Sequence, residues 1–273
     1  MSEPLRAASD LRHIEGPFDI IGDVHGCALE LDELLSRLGY GVRYAGHGAL
    51  RRAIVDAAPG RRAIFVGDLV DRGPRSPDAL RVAMALAESG GALAVPGNHD
   101  MKLVRWLGGG AVELAHGLER TAAQLEGESE AFRARVKDFL AGLPSHLWLD
   151  GGRLAVAHAG IKEEMLGEAS GEVRRFCLYG ETSGEMDELG LPVRYHWAAE
   201  YRGRTAIVYG HTPVPEPEWV NTTICIDTGC CFGGKLSALR WPEREIVSVP
   251  AREVYSAPVR PFGHPPVRER TSR

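Results

Sequence analysis

Asp23 and His25 lie two residues apart in the loop Gly22-Asp23-Val24-His25-Gly26, close enough for both to face one cation. Five more residues of ligand type, Asp68, Asn98, His158, His211 and Asp227, follow in separate short polar loops. Carboxylate, imidazole and amide donors together suit borderline or hard divalent ions such as Mn, Fe, Zn or Mg, and not Cu(I) or an iron–sulfur cluster. The set exceeds what one four-coordinate ion needs. It points to two ions about 3.5–4 Å apart sharing a bridging carboxylate, for which Asp68 is the natural choice, and a bridging hydroxide. Such a pair acidifies its water, places it in line with a phosphorus atom and neutralises the equatorial oxygens as charge accumulates. That is the chemistry of a phosphoester hydrolase.

These residues stand where apolar runs stop. Phe18-Asp19-Ile20-Ile21 ends at Asp23 and His25, and the run 62–66 ends at Gly67-Asp68-Leu69-Val70-Asp71-Arg72-Gly73. The run 92–95 ends at Pro96-Gly97-Asn98-His99-Asp100, while 154–157, 205–209 and 223–226 lead to His158, His211 and Asp227. Six short strands thus deliver polar residues at their carboxyl ends, the position where open α/β sheets build sites. Leu31, Leu34, Leu35 and Leu38 repeat at helical spacing up to Gly39, and an amphipathic run follows the second strand. The segment 101–142 reads as a mainly helical insertion, and KLSALRWPEREIVSVP reads as a hairpin. The expected organisation is a flexible lead over 1–16, one catalytic domain over 17–256, and a flexible Pro/Arg-rich tail over 257–273.

Composition excludes several classes. With 32 Lys+Arg against 37 Asp+Glu, the formal charge of −5 gives no bulk electrostatic case for nucleic-acid binding. Five cysteines in no repeating framework argue against a disulfide-stapled secreted domain and for a reduced, cytoplasmic setting. No basic-then-apolar leader opens the chain, and no run reaches the length of about 18 apolar residues expected of a membrane helix. No GxxxxGK[ST] loop occurs, so a P-loop kinase is excluded within this chain. His47, His116, His146 and His196 have no comparable strand-end context, and adjacent Cys230-Cys231 reads as structural.

The ordered motifs GDVHG, GDLVDRG, GNHD, HAG and GHTP resemble those of the calcineurin-like metallophosphoesterases. The resemblance implies an α/β fold, a β-sandwich flanked by α-helices, with a binuclear site at one edge. It implies Asp23, His25 and Asp68 as ligands of the first ion, with Asp227 touching it. For the second ion it implies Asp68, Asn98, His158 and His211. His99 would then be the general acid, oriented by Asp71, and Arg72 the phosphate clamp. From Phe18 to about Tyr255 the chain further resembles the phosphatase module of bacterial polynucleotide kinase-phosphatase, an RNA-repair enzyme. That implies release of 2′- or 3′-phosphates and opening of 2′,3′-cyclic phosphates on RNA ends or nucleotides. It favours Mn, with Ni, Fe, Zn or Mg as substitutes, and kinase and ligase modules as partners if the chain is an excised domain. A symmetrical bis(5′-nucleosyl)-tetraphosphatase, a serine/threonine protein phosphatase and an inactive scaffold are the alternatives. The protein phosphatase is weakened by GNHD, where that family typically carries GNHE.

Overall fold

The structure, a computed structural model, describes residues 9–259 and 267–268. In chain order its strands are β1 (Phe18–Ile21), β2 (Gly41–Ala45), β3 (Arg52–Asp56), β4 (Arg62–Phe65), β5 (Ala92–Ala94), β6 (His146–Leu149), β7 (Leu154–Ala157), β8 (Thr182–Met186), β9 (Pro192–Tyr195), β10 (Ala206–Tyr209), β11 (Trp219–Val220), β12 (Thr223–Cys225), β13 (Lys235–Trp241), β14 (Glu245–Pro250) and β15 (Val267–Arg268). The helices are α1 (Ala28–Leu38), α2 (Ser76–Glu88), α3 (Asn98–Leu107), α4 (Leu118–Glu126), α5 (Glu130–Gly142), α6 (Gly171–Tyr179) and α7 (Trp197–Glu200).

Period-two alternation along the apolar strands builds two stacked sheets, ordered β14-β13-β1-β4-β5 and β11-β12-β10-β7-β6. Phe18, Ile20, Ile64 and Val66 of the first sheet meet Leu154, Val156, Val208 and Ile224 of the second in one buried layer. Their neighbours turn outward. Ile21, Ala63 and Phe65 pack under α1 and α2, while Ala155, Ala157 and Ile207 pack under α6 and α7. Each outward face buries a helical stripe, which gives the expected β-sandwich flanked by helices. Fully burying one such aliphatic or aromatic side chain contributes roughly 1.5–3 kcal/mol. β1 runs parallel to β4, and β4 to β5; β7, β10 and β12 are likewise parallel. All six carboxyl ends therefore gather at one edge of the sandwich. The expected hairpin is β13–β14, in antiparallel register from Lys235↔Pro250 to Arg240↔Glu245.

Leu103, Leu118, Leu125, Phe132, Val136 and Leu140 of α3–α5 are buried in the same core as α1 and α2. The helical segment expected as an insertion thus packs into the body of the domain. Of the lead expected to be flexible, residues 9–16 lie along the edge of the second sheet. Trp148 N donates to Ser9 O at 2.9 Å, Leu11 N donates to Trp148 O at 2.8 Å, and the Arg12 guanidinium sits 4.1 Å above the Trp148 ring. Residues 1–8, and 260–266 and 269–273 of the expected tail, lie outside the described residues; β15 pairs with β9. Among the described residues, no helix is long and apolar enough to cross a membrane.

Candidate metal centre

The loops that follow the strands turn more sharply than ordinary side chains favour. Nine described non-glycine residues have positive φ, and five of them belong to this site: His25 (45°), Asp68 (49°), Asp71 (74°), Arg72 (67°) and His211 (73°). Left-handed backbone costs such residues of order 1–3 kcal/mol each, and surrounding structure must hold them there. Close approach adds to the constraint. A Cβ on Gly97 would lie 2.0 Å from Asp68 Oδ1, and one on Gly210 would lie 1.9 Å from Asp23 Oδ1. Only glycine lets these two carboxylates sit where they do.

The imidazoles are aimed from behind. His25 Nδ1 meets Val70 O at 2.9 Å and His158 Nδ1 meets Val66 O at 3.1 Å, so the Nδ1 proton donates to a carbonyl and Nε2 faces the site with a lone pair. His158 Nε2 lies 3.0 Å from Asn98 Oδ1, 3.0 Å from His211 Nδ1 and 3.4 Å from Asp68 Oδ2. Asp68 Oδ2 also stands 3.5 Å from His25 Nε2, so one carboxylate oxygen faces both groups of donors. Asp23 Oδ2 accepts from His211 N at 3.0 Å, and Asp227 Oδ1 accepts from Gly229 N at 2.9 Å. All seven residues expected as metal ligands are therefore brought to one place.

The electrostatics favour cations. Burial pushes Asp23 and Asp68 well above the ordinary carboxylate range, with neighbouring carboxylates, Asp227 for Asp23 and Asp100 for Asp68, adding to it. Burial also takes Asp227 up to about 6 and His158 down to about 3, and holds His25 and His211 below the usual imidazole range. Neutral imidazoles and strained carboxylates are the protonation pattern a divalent cation rewards. Asp23 Oδ1 and His211 Nε2 are buried without a hydrogen-bond partner. Donors spaced about 3 Å apart also suit ligand distances of about 2.0–2.2 Å to a common ion. The residues present fit a divalent metal centre.

Next to these donors, His99 Nδ1 lies 2.6 Å from Asp71 Oδ2. Arg72 reaches His25 Nε2 through Nη1 at 2.6 Å and His99 Nε2 through Nη2 at 2.9 Å. Burial lifts Asp71 to about 7 and lowers His99, which Arg72's charge lowers further.

Sequence reasoning missed the groups that hold this loop. Asp71 N donates to Thr121 Oγ1 at 2.9 Å, Ser76 N to Gln124 Oε1 at 2.7 Å, Gln124 Nε2 to Gly73 O at 3.1 Å and Arg120 Nη1 to Arg72 O at 2.7 Å. All three side chains come from α4, and in sequence they resemble any solvated helix face. Asp100, also missed, accepts from Leu69 N at 3.0 Å and Gly97 N at 2.9 Å and ties two site loops together. Its signal was readable: a carboxylate three residues after a strand-ending glycine is a helix-start pattern. Thr121→Val should lower stability by about 1–2 kcal/mol, because it deprives a buried N–H of its best acceptor. Thermal melts should show that loss while the bound-metal stoichiometry stays at the wild-type value. Elsewhere, His146 is a satisfied core histidine whose Nε2 accepts from Gly167 N at 2.9 Å, and all five cysteines are free and buried.

The profile of the calcineurin-like phosphoesterase family matches residues 16–243, and the chain belongs to that family. It is a metal-dependent phosphoesterase hydrolase, of a family that implies divalent metal ions, typically two. Among its relatives, the protein named bis(5′-nucleosyl)-tetraphosphatase PrpE [asymmetrical] of Anoxybacillus flavithermus is 45% identical over 85% of this chain and 94% of its own length. The Bacillus subtilis protein of the same name is 44% identical over the same shares. Among solved structures, a candidate diadenosine tetraphosphatase superposes with a TM-score of 0.61 at 24% identity, covering 89% of this chain and 98% of its own. A serine/threonine phosphatase from Saccharomyces cerevisiae gives 0.60 at 13% identity, covering 91% and 84%. These two likenesses show the fold alone.

The relatives overturn the finer expectation. Polynucleotide kinase-phosphatase is not what this chain most resembles, so the RNA-end activity, the RNA partners and the kinase and ligase modules expected with it fall. The symmetrical tetraphosphatase alternative falls too, since the relatives are named asymmetrical. The physical reason is that GDVHG, GDLVDRG and GNHD supply metal-type donors and an arginine suited to any phosphoester. They carry no information about what lies beyond the phosphate.

Proposed function

We propose that this protein hydrolyses bis(5′-nucleosyl) tetraphosphates off-centre, giving a nucleoside triphosphate and a nucleoside monophosphate. The observation that carries this reading is 43–45% identity to eight relatives of that name along 85% of this chain and 91–94% of theirs. The expected location remains cytoplasmic, in keeping with five free cysteines.

In this reading Asp23, His25 and Asp68, with Asp227 beside them, hold one cation, and Asp68, Asn98, His158 and His211 hold the other. Mn is the proposed metal, because oxygen and imidazole donors without thiolate suit it. When bound, the ions supply Lewis acidity: they neutralise charge on phosphoryl oxygens and make water acidic enough to attack near neutral pH. The chain's own groups do the rest. Arg72 offers a planar fork to two phosphoryl oxygens, a geometry Lys does not reproduce. The strained loop and the Arg120 bond to its carbonyl hold it in place. His99, oriented through Nδ1 by Asp71, turns Nε2 toward the leaving oxygen. Once Arg72 moves to the phosphoryl oxygens, Nε2 of the protonated imidazole would give its proton to that oxygen, with the Asp71 carboxylate balancing the imidazolium charge.

The leaving oxygen of a phosphoanhydride belongs to another phosphate and needs little protonation, whereas an alkoxide leaving group needs a full proton. His99→Ala should therefore lower kcat by about 10²–10⁴ on an alkyl phosphomonoester such as glycerol phosphate, and far less on the tetraphosphate. Steady-state rates on both substrates check this, and equal losses would remove His99 from the acid role. The substrate reading itself is tested by kcat/KM with Mn for diadenosine tetraphosphate, a 2′,3′-cyclic mononucleotide, a 3′-phosphorylated oligoribonucleotide and a phosphoserine peptide. The tetraphosphate should lead by about an order of magnitude or more; a faster rate on any of the others would overturn the reading.

A further inference from the structure

Beside the metal centre, a cleft of about 470 Å³ opens from Gly210 and His211 and runs along the outer face of the second sheet. Its volume lies within the range of small-ligand sites, roughly 300–1,000 Å³. The walls are aromatic. Trp197 and Tyr209 both line it, with ring centroids 5.0 Å apart at 59°, and Tyr195 lines it from β9. Trp197 is held firmly, with edge contacts to Phe176 and Tyr201 at 6.1 Å each. Gly160, two residues after His158, makes room for it, since a Cβ there would lie 2.0 Å from the indole ring. The same short loop thus places a metal-facing imidazole and a fixed aromatic wall side by side.

The cleft carries charges of both signs. Arg194, next to Tyr195 on β9, lines it and donates to Tyr179 O at 3.0 Å. It shares the cleft lining with His211 of the metal centre. Glu216 and Glu218 line the cleft as well and lie exposed, Glu216 paired with Lys235, while Glu181, also in the lining, is paired with Lys162. A cation, aromatic rings and exposed carboxylates lining one cleft that opens at His211 match a phosphate followed by a base and its hydroxyl or amino donors. The exposed carboxylates would repel a ligand made of phosphate alone.

We propose that this cleft binds one nucleoside of the substrate, with the base against Tyr195 and Trp197, Arg194 on a phosphate beside the scissile one, and Glu216 and Glu218 accepting from the nucleoside's donors. The proposal rests on the reading of function above, and its test is independent of turnover. Titration calorimetry on the Mn-loaded protein should show adenosine 5′-monophosphate binding about tenfold more tightly than inorganic phosphate, the gain of a single stacked base. Tyr195→Phe should keep that preference. Tyr195→Leu, which fills the strand position without a stacking face, should lose it while inorganic phosphate affinity holds. Equal affinities for the two ligands in the wild type would overturn the proposal, as would parallel weakening of both ligands in Tyr195→Leu. Absence of tetraphosphate hydrolysis with the nucleotide preference intact would sink the proposed function and leave the cleft's role standing.

Discussion

Asp68→Asn should lower kcat by at least about 10³-fold and, at the same time, raise the melting temperature of the metal-free protein. The catalytic loss follows from one oxygen: Asp68 Oδ2 faces His25 Nε2 at 3.5 Å and His158 Nε2 at 3.4 Å, so this carboxylate is placed to serve both halves of the centre. The stability gain follows from burial. Asp68 is 2% exposed and its carboxyl sits well above the ordinary range, pushed there by desolvation and the nearby Asp100. An amide of the same shape keeps the acceptor for His99 N–H and removes the charge. A gain of about 1 kcal/mol corresponds to about 2–4 °C in a domain of this size. Rate assays and melts of chelated wild type and variant check the two halves separately. Retained turnover, or a lower melting temperature in the chelated variant, would contradict the assignment.

Chelation should abolish activity, and its effect on stability should grow with pH. The carboxylates of Asp23, Asp68 and Asp227 have folded values above their unfolded ones. Their contribution in the metal-free protein is present below about pH 4 and is lost as pH rises through the folded values. For Asp227, lifted by burial to about 6, that loss falls between about pH 4 and the range above 6. The imidazoles run the other way. His158, at about 3, and the lowered His25 and His211 contribute stability that is complete only above about pH 6.5. The two sets oppose each other in mild acid, and above it only the carboxylate penalty keeps growing. A bound cation removes that penalty and requires the same deprotonated groups. The melting-temperature difference between Mn-loaded and chelated protein should therefore widen from pH 5 to pH 8. A constant difference across that range would mean that these carboxylates do not hold the metal.

Much of the architecture was legible because each apolar run is short, alternates in pattern and ends in a polar loop. Phe18 and Ile20 point one way and Ile21 the other, so strand, sandwich and helix-covered face all follow from four residues. The convergence of the expected donors was legible for the same reason: Asp23, Asp68, Asn98, His158, His211 and Asp227 each follow a strand. What escaped was whatever acts through tertiary contact alone. Thr121 and Gln124 grip the Asp71–Gly73 loop from a helix whose sequence reads as solvent-facing. Ser9, Asp10 and Leu11 show no pattern of their own until their backbone meets Trp148. The substrate escaped for a deeper reason. In the proposed reading metals and Arg72 would read a phosphate, and the walls that would read the rest come from Tyr195, Trp197 and Tyr209, which belong to no local motif.

The most direct test of the proposed activity is the product pair. Diadenosine tetraphosphate incubated with the Mn-loaded protein and resolved by anion-exchange chromatography should yield AMP and ATP in equal amounts from the earliest time points. ADP as the sole product, or intact tetraphosphate under conditions where an RNA-end phosphate is released, would contradict the account.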